Sequence, residues 1–326
     1  MKRKIAFLFS GQGSQYYQMG RGLYEQNLVF RSSMDHMDRL ARDMLGTSVV
    51  EALYRTHGKA EPFDELRLTH PAIFMVEYAL AQSVMDLGIT PDCTLGASLG
   101  TFAAIAVAGC MTADDALAMV IRQALAIEEY CPKGGMIAVL GAPTLYDDSP
   151  FLQARSVIAG RNFAAHFVLS APAENLSAIQ SFLTRAGVTW QAVPVRYPFH
   201  APWIDPMREV LIAASGTARI RLSETPVICC ALGGVVREIS DDFFWNVARD
   251  EIGFMPAIAQ MEQGGAFNYL DLGASGTLAT FLKYLLPAHS VSRGFALMTP
   301  YGSDVELLAS MAAQLLPAGL PAAVGI

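Results

Sequence analysis

Apolar and polar positions divide the chain into short apolar runs separated by longer stretches of helical period. Residues 4–9 read Lys-Ile-Ala-Phe-Leu-Phe and stop at Gly11-Gln12-Gly13-Ser14. Such a run, apolar on both sides, suits a strand buried on both faces of a parallel sheet. Helical periodicity follows around 17–45 and over 71–87. A second short strand is expected at 93–95. It breaks at Gly96-Ala97-Ser98-Leu99-Gly100 into an alanine-rich helix over 99–109. Thr112, with Asp115 three residues on, has the form of a capping box and opens a helix running to about residue 130.

The next segment changes rhythm. Strands are expected at 136–140, 156–159, 167–170 and 189–195, with helices at 145–154 and 173–186. That order, βαββαβ, is the ferredoxin-like split unit. It predicts a small domain, residues 131–197, inserted into a larger α/β domain made of 1–130 and 198–315. In the returning part, a helix is expected at 206–215 and strands at 227–231 and 269–272. The tail, 316–326, is rich in Pro, Ala and Gly and is expected to be loosely ordered.

Composition narrows the function. The chain of 326 residues is 52% hydrophobic and only 16% charged, with mean hydropathy +0.32, so it can bury a large core. Net charge is −7, the wrong sign for tracking a phosphate backbone, and nucleic acid is excluded as an expected partner. No stretch approaches the roughly 18 apolar residues of a membrane span. The apolar run at 5–9 also falls short of the ~7–15 residues of a secretion signal. The five cysteines lack CxxC spacing, and the vicinal Cys229-Cys230 pair cannot easily close a relaxed disulfide. These features point to a reducing cytoplasm and away from a metal site.

Chemistry concentrates at Gly96-x-Ser98-x-Gly100, a nucleophile-elbow pattern with a strand before it and a helix after it. A serine merely capping the helix would read the same way in isolation. A nucleophilic serine needs a base, and six histidines are available. His36 and His57 lie among charged residues, His70 precedes Pro71 at an expected helix start, and His166 falls in the small domain. His200 and His289 remain, and His200 follows directly where the chain re-enters the large domain, a place where clefts form.

The ordered set Phe9-Ser10-Gly11-Gln12-Gly13-Ser14-Gln15, Thr69-His70-Pro71-Ala72, Gly96-Ala97-Ser98-Leu99-Gly100, Tyr197-Pro198-Phe199-His200 and Leu272-Gly273-Ala274-Ser275-Gly276 resembles the malonyl-CoA:acyl-carrier-protein transacylase family, over about residues 3–290. The resemblance implies an α/β-hydrolase-like large domain with the inserted ferredoxin-like domain. It implies Ser98 as acylated nucleophile, His200 as its base, and the backbone N–H groups of Gln12 and Leu99 as oxyanion hole. The histidine would be oriented by a main-chain carbonyl near Gly253. Asn162, Ala97, Phe199 and His70 would line the substrate site. The partner implied is an acyl carrier protein bearing a phosphopantetheine thioester, with no cofactor. Given the net charge, any docking patch for an acidic carrier must be local.

Departures from the family pattern refine this. Ser10 stands for the usual proline, Ala97 for the usual histidine of the elbow, and Thr101 for an acidic or amide residue. Malonyl-specific members hold the substrate carboxylate with an arginine on the helix after the elbow, and the ungapped match is Gln123. The stripe Ala116, Met119, Val120, Gln123, Ile127, Tyr130 turns Gln123 inward, whereas Arg122 shares a face with Asp115 and Glu129. A one-residue slip would put Arg122 in the pocket instead. With Gln123 inside, a buried malonyl carboxylate has no guanidinium to pair with. A glutamine here is similar to the acyl hydrolases of trans-acyltransferase polyketide pathways, which remove stalled acyl groups from carrier proteins. The expected activity is therefore hydrolysis of uncharged acyl thioesters, with transacylation as the alternative. Two further readings stay open: an ordinary α/β-hydrolase using Ser98, Asp271 and His289, and a non-catalytic carrier-docking module.

Overall fold

The computed structural model describes residues 3–216 and 218–317. The apolar run at the start forms β1 (Lys4–Phe9), whose last four residues are fully buried. It lies inside a six-stranded sheet with β2 (Cys93–Gly96), β7 (Val227–Cys229), β8 (Gly234–Val235), β9 (Phe267–Asp271) and β10 (Arg293–Ala296), ordered β10-β9-β1-β2-β7-β8. All pairings are parallel except β7 with β8.

Between β2 and β7 the chain builds a second, four-stranded antiparallel sheet. Its strands β3 (Gly134–Leu140), β4 (Val157–Phe163), β5 (His166–Pro172) and β6 (Thr189–Ala192) are ordered β4-β5-β3-β6. This is the ferredoxin-like order expected from the βαββαβ pattern. Ile137, Val139, Phe167, Leu169, Ile179 and Leu183 give it a core of its own. Gly134 N–H donates to the Arg196 carbonyl, so the two ends of the insertion lie side by side.

The small sheet also pairs with a segment of the large domain outside its sheet. Gly160 in β4 bridges Ile252, through Ile252 N–H to the Ala159 carbonyl and Arg161 N–H to the Ile252 carbonyl. The Arg161 guanidinium also reaches Glu251 Oε2 at 2.6 Å.

Several boundaries differ from expectation. The helix expected from residue 71 spans Leu66–Asp86 and carries Pro71 inside it. The helix expected at 145–154 is two short ones, Thr144–Asp147 and Pro150–Gln153, because Pro150 opens a new helix capped by Ser149. The segment at 206–215 is a 3-10 stretch, Pro202–Met207, followed by the α-helix Arg208–Ser215. A helix, Asp304–Leu315, precedes the proline-rich tail, and residues 318–326 lie outside the described ones. All five cysteines are buried and free. Among the described residues no helix is long and apolar enough to cross a membrane.

Candidate active site

The elbow exists because two glycines let three backbones converge. A Cβ at Gly96 would sit 2.3 Å from Thr101 Cα, and one at Gly100 would sit 2.2 Å from the Phe9 carbonyl oxygen. Neither distance is possible for a real side chain, so both positions must be glycine. Between them Ser98 is forced into the left-handed region, φ 53°, at the start of the helix Gly100–Val107. A non-glycine residue held there stores of the order of 1–3 kcal/mol, and the surrounding packing must hold it.

His200 occupies the same unusual region, φ 58°. Its N–H donates to the Ala248 carbonyl, and its Nδ1 lies 2.7 Å from the Asp250 carbonyl oxygen. Both acceptors belong to the C-terminal end of the helix Phe243–Arg249. A carbonyl only accepts, so Nδ1 carries the hydrogen and Nε2 presents its lone pair 2.8 Å from Ser98 Oγ. Burial holds the imidazole well below its ordinary pKa, at about 4, with the Asp250 hydrogen bond opposing the shift. The ring is neutral at neutral pH and can take the serine proton.

The orienting carbonyl is therefore Asp250, not the expected Gly253. The Gly253 carbonyl accepts from Ala257 N–H, the first turn of the helix Phe254–Gln263, and is already engaged.

The loop Gly11–Gln12 packs on the elbow, close enough that a Cβ at Gly11 would touch Ser98 Cβ at 2.9 Å and lie 3.4 Å from Leu99 N. The backbone N–H groups of Gln12 and Leu99 donate to no acceptor among the described residues, which leaves two donors available beside the serine. The Gln12 side chain is fixed by its amide Nε2, which donates to Thr69 Oγ1 at 2.9 Å.

Ser98 and His200 open into a cavity of about 450 Å³ between the two sheets. Ala97, Gln12, Phe199 and Asn162 contribute to its wall, together with Val168 of the small sheet and Ile252, Phe254 and Phe281 from the segment and helices of the large domain that face it. Among the described residues lining it none is Lys, Arg, Asp or Glu, and the only titratable side chains are His166 and His200. His166, to which the sequence assigns no role, has its Nδ1 3.0 Å from Asn162 Nδ2 and packs its ring on Phe163 and Phe281.

Two expected lining residues stand outside this wall. His70 is 1% exposed and covered by the Phe199 ring, 5.5 Å centroid to centroid. Gln123 is 3% exposed, on the inward face of the helix Ala113–Tyr130, and its buried Oε1 has no hydrogen-bond partner among the described residues. Arg122 is exposed, so the inward register belongs to Gln123.

The alternative Asp271–His289 pair is not assembled on Ser98. Asp271 Oδ1 accepts from Gly273 N–H and Oδ2 from Ala279 N–H, capping the helix Thr277–Leu285, while His289 is exposed. Among the described residues no group of three or more His, Cys, Asp or Glu could hold a metal.

Comparison with known proteins places the chain in a family. An acyl transferase domain model matches residues 6–263. The polyketide biosynthesis acyltransferase homolog BaeD of Bacillus velezensis is 42% identical over 93% of this chain and 94% of its own length. PksD of Bacillus subtilis, which carries the same description, is 38% identical over 94% of this chain and 95% of its own. Among solved structures, the loading acyltransferase of the avermectin modular polyketide synthase superposes with TM-score 0.85, at 26% identity over 95% of this chain and 99% of that one. MCAT of Streptococcus pneumoniae shares the fold, with TM-score 0.79 at 23% identity, over 96% of this chain and 100% of that one. The chain belongs to the acyl transferase domain family.

Proposed function

We propose that the protein is an acyl hydrolase of polyketide biosynthesis, clearing acetyl and other uncharged acyl groups from acyl carrier proteins through an acyl-enzyme on Ser98. The observation that carries this reading is the cavity wall, which brings no cationic side chain to a substrate carboxylate. Burying an unpaired carboxylate costs several kcal/mol, whereas a neutral acyl chain meets apolar side chains. Arg122 is exposed and contributes no charge to this wall either.

In the proposed route, His200 Nε2 takes the Ser98 proton as Oγ attacks the thioester carbonyl of an acyl-phosphopantetheine arm. The oxyanion lies between the Gln12 and Leu99 amides. The positive charge developing on the imidazole is stabilised by the Asp250 carbonyl at a helix C-terminus. His200 returns its proton to the departing thiol. Water, deprotonated by the same nitrogen, then attacks the acyl-enzyme carbonyl. His200 returns that proton to Ser98 Oγ as the ester bond breaks and the acid leaves, and no cofactor enters the cycle.

Transacylation is the second reading, favoured by the names of the two Bacillus relatives. It differs only in the second acceptor, a carrier thiol instead of water. Mass spectrometry on carrier proteins loaded with acetyl or malonyl separates the two. The expected result is loss of acetyl as free acetate with malonyl left in place, abolished by Ser98→Ala. Rapid malonyl labelling of Ser98, passed on to a fresh carrier protein, would overturn the hydrolase reading.

A further inference from the structure

We infer that Glu77 is a positioning residue for the reaction: through Ser10 it fixes the start of the loop that presents the Gln12 amide. The inference rests on the reading of Ser98 as the acylated residue.

Glu77 sits alone in the apolar run Ile73-Phe74-Met75-Val76-Glu77-Tyr78-Ala79-Leu80 and is fully buried. Its Oε1 accepts two hydrogen bonds from one residue, Ser10 N–H and Ser10 Oγ–H, each 2.8 Å long. Among the described residues its buried Oε2 has no partner, and no basic side chain is paired with it. A buried carboxyl with one oxygen unpaired is a liability to stability, and an apolar residue would pack this helix better. What the carboxyl does provide is an acceptor for the last backbone N–H of β1's extension, two residues before Gln12.

The same helix, Leu66–Asp86, holds the other end of the loop, since Thr69 accepts from the Gln12 amide side chain. Gly11, between the two anchors, is wedged against Ala97 and Ser98. Ser10 is walled on its far side by Gly273, where a Cβ would meet Ser10 Oγ at 2.3 Å. Glu77 and Thr69 thus set where residues 10–12 lie relative to Ser98. A donor displaced from the oxyanion loses most of its worth, because that bond strengthens only in the transition state. Burial, helped by the charge of Asp271, drives the Glu77 carboxyl towards its neutral form. Glutamine is then its near-isostere and keeps the accepting oxygen.

The test uses Glu77→Leu, Glu77→Gln and Ser10→Ala in the full chain. Three quantities are read: the rate of Ser98 acylation by acetyl-carrier protein, KM, and affinity for a trifluoromethyl ketone analogue of acetyl-pantetheine. Glu77→Leu should lower the acylation rate roughly 10- to 100-fold with KM changed less than about twofold. Ketone affinity should fall by a similar factor, because that ligand places an oxyanion beside Gln12. Glu77→Gln should recover the rate to within about threefold, and Ser10→Ala should fall between the two. An unchanged acylation rate in Glu77→Leu, with only a lower melting temperature, would overturn the inference. So would Glu77→Gln falling as far as Glu77→Leu. If Glu77→Leu does not fold, an unchanged rate in Ser10→Ala overturns it alone. Absence of any acyl-enzyme in the unsubstituted protein would instead remove the reading of Ser98, and this inference with it.

Discussion

Burial sets the protonation of His200, and the direction of its pH dependence follows. The neutral ring is the competent base, and its pKa is held down at about 4. Acylation should be flat from pH 8 to about 5 and fall by one proton below that. An inflection near 6.5, the ordinary histidine value, would show a solvated ring instead. Stability titrates over a neighbouring window. The unfolded chain binds the His200 proton from about pH 6.5 downward and the folded chain only near 4. Stability from this residue is therefore complete above 6.5 and lost as pH falls towards 4. His70, held at about 3 by burial, acts in the same direction. Asp271 opposes them, since its pKa is raised to about 6 and its ionisation costs stability as pH rises through that value. Separating activity from unfolding needs a melting curve at each pH beside the rate.

The elbow and its neighbours show how far pattern reading reaches at the level of elements. A Cβ at Gly96 or Gly100 would collide with backbone, so Gly96→Ala and Gly100→Ala should each cost more than about 2 kcal/mol or prevent folding. Gly22→Ala, where the nearest atom lies 3.6 Å away, should be nearly neutral, and chemical denaturation compares the three. These glycines were legible because elbow chemistry fixes both spacing and residue type. β1 was legible because burial on both faces leaves an uninterrupted apolar run. Pro71 misplaced a helix start, because tertiary packing of the segment from Leu66 overrides the lost hydrogen bond. The two-residue β8 carries no periodicity to read. The Asp250 carbonyl was three residues from its expected place because every residue owns a carbonyl, and which one is free depends on where helices end. Glu77 left one signal, a lone acid in the apolar run 73–80, whose partner only the fold reveals.

At the scale of the molecule, the seam between the small sheet and the large domain combines backbone pairing at Gly160–Ile252 with the half-exposed Arg161–Glu251 pair. An ion pair that open to solvent contributes only about 0–1 kcal/mol. Arg161→Ala should therefore shift the denaturation midpoint little, and a loss above about 2 kcal/mol would mean that the pair organises the seam. Sheet order has a consequence during synthesis. β1 emerges long before one of its neighbours, β9, Phe267–Asp271. At ~5–20 residues per second, roughly 13–50 s separate the two strands at the ribosome. For that interval Phe7, Leu8 and Phe9 belong to an open sheet edge. The nascent chain is then most in need of a chaperone, and a ribosome stalled before residue 267 leaves a fragment with Ser98 and His200 already made but an aggregation-prone edge uncovered.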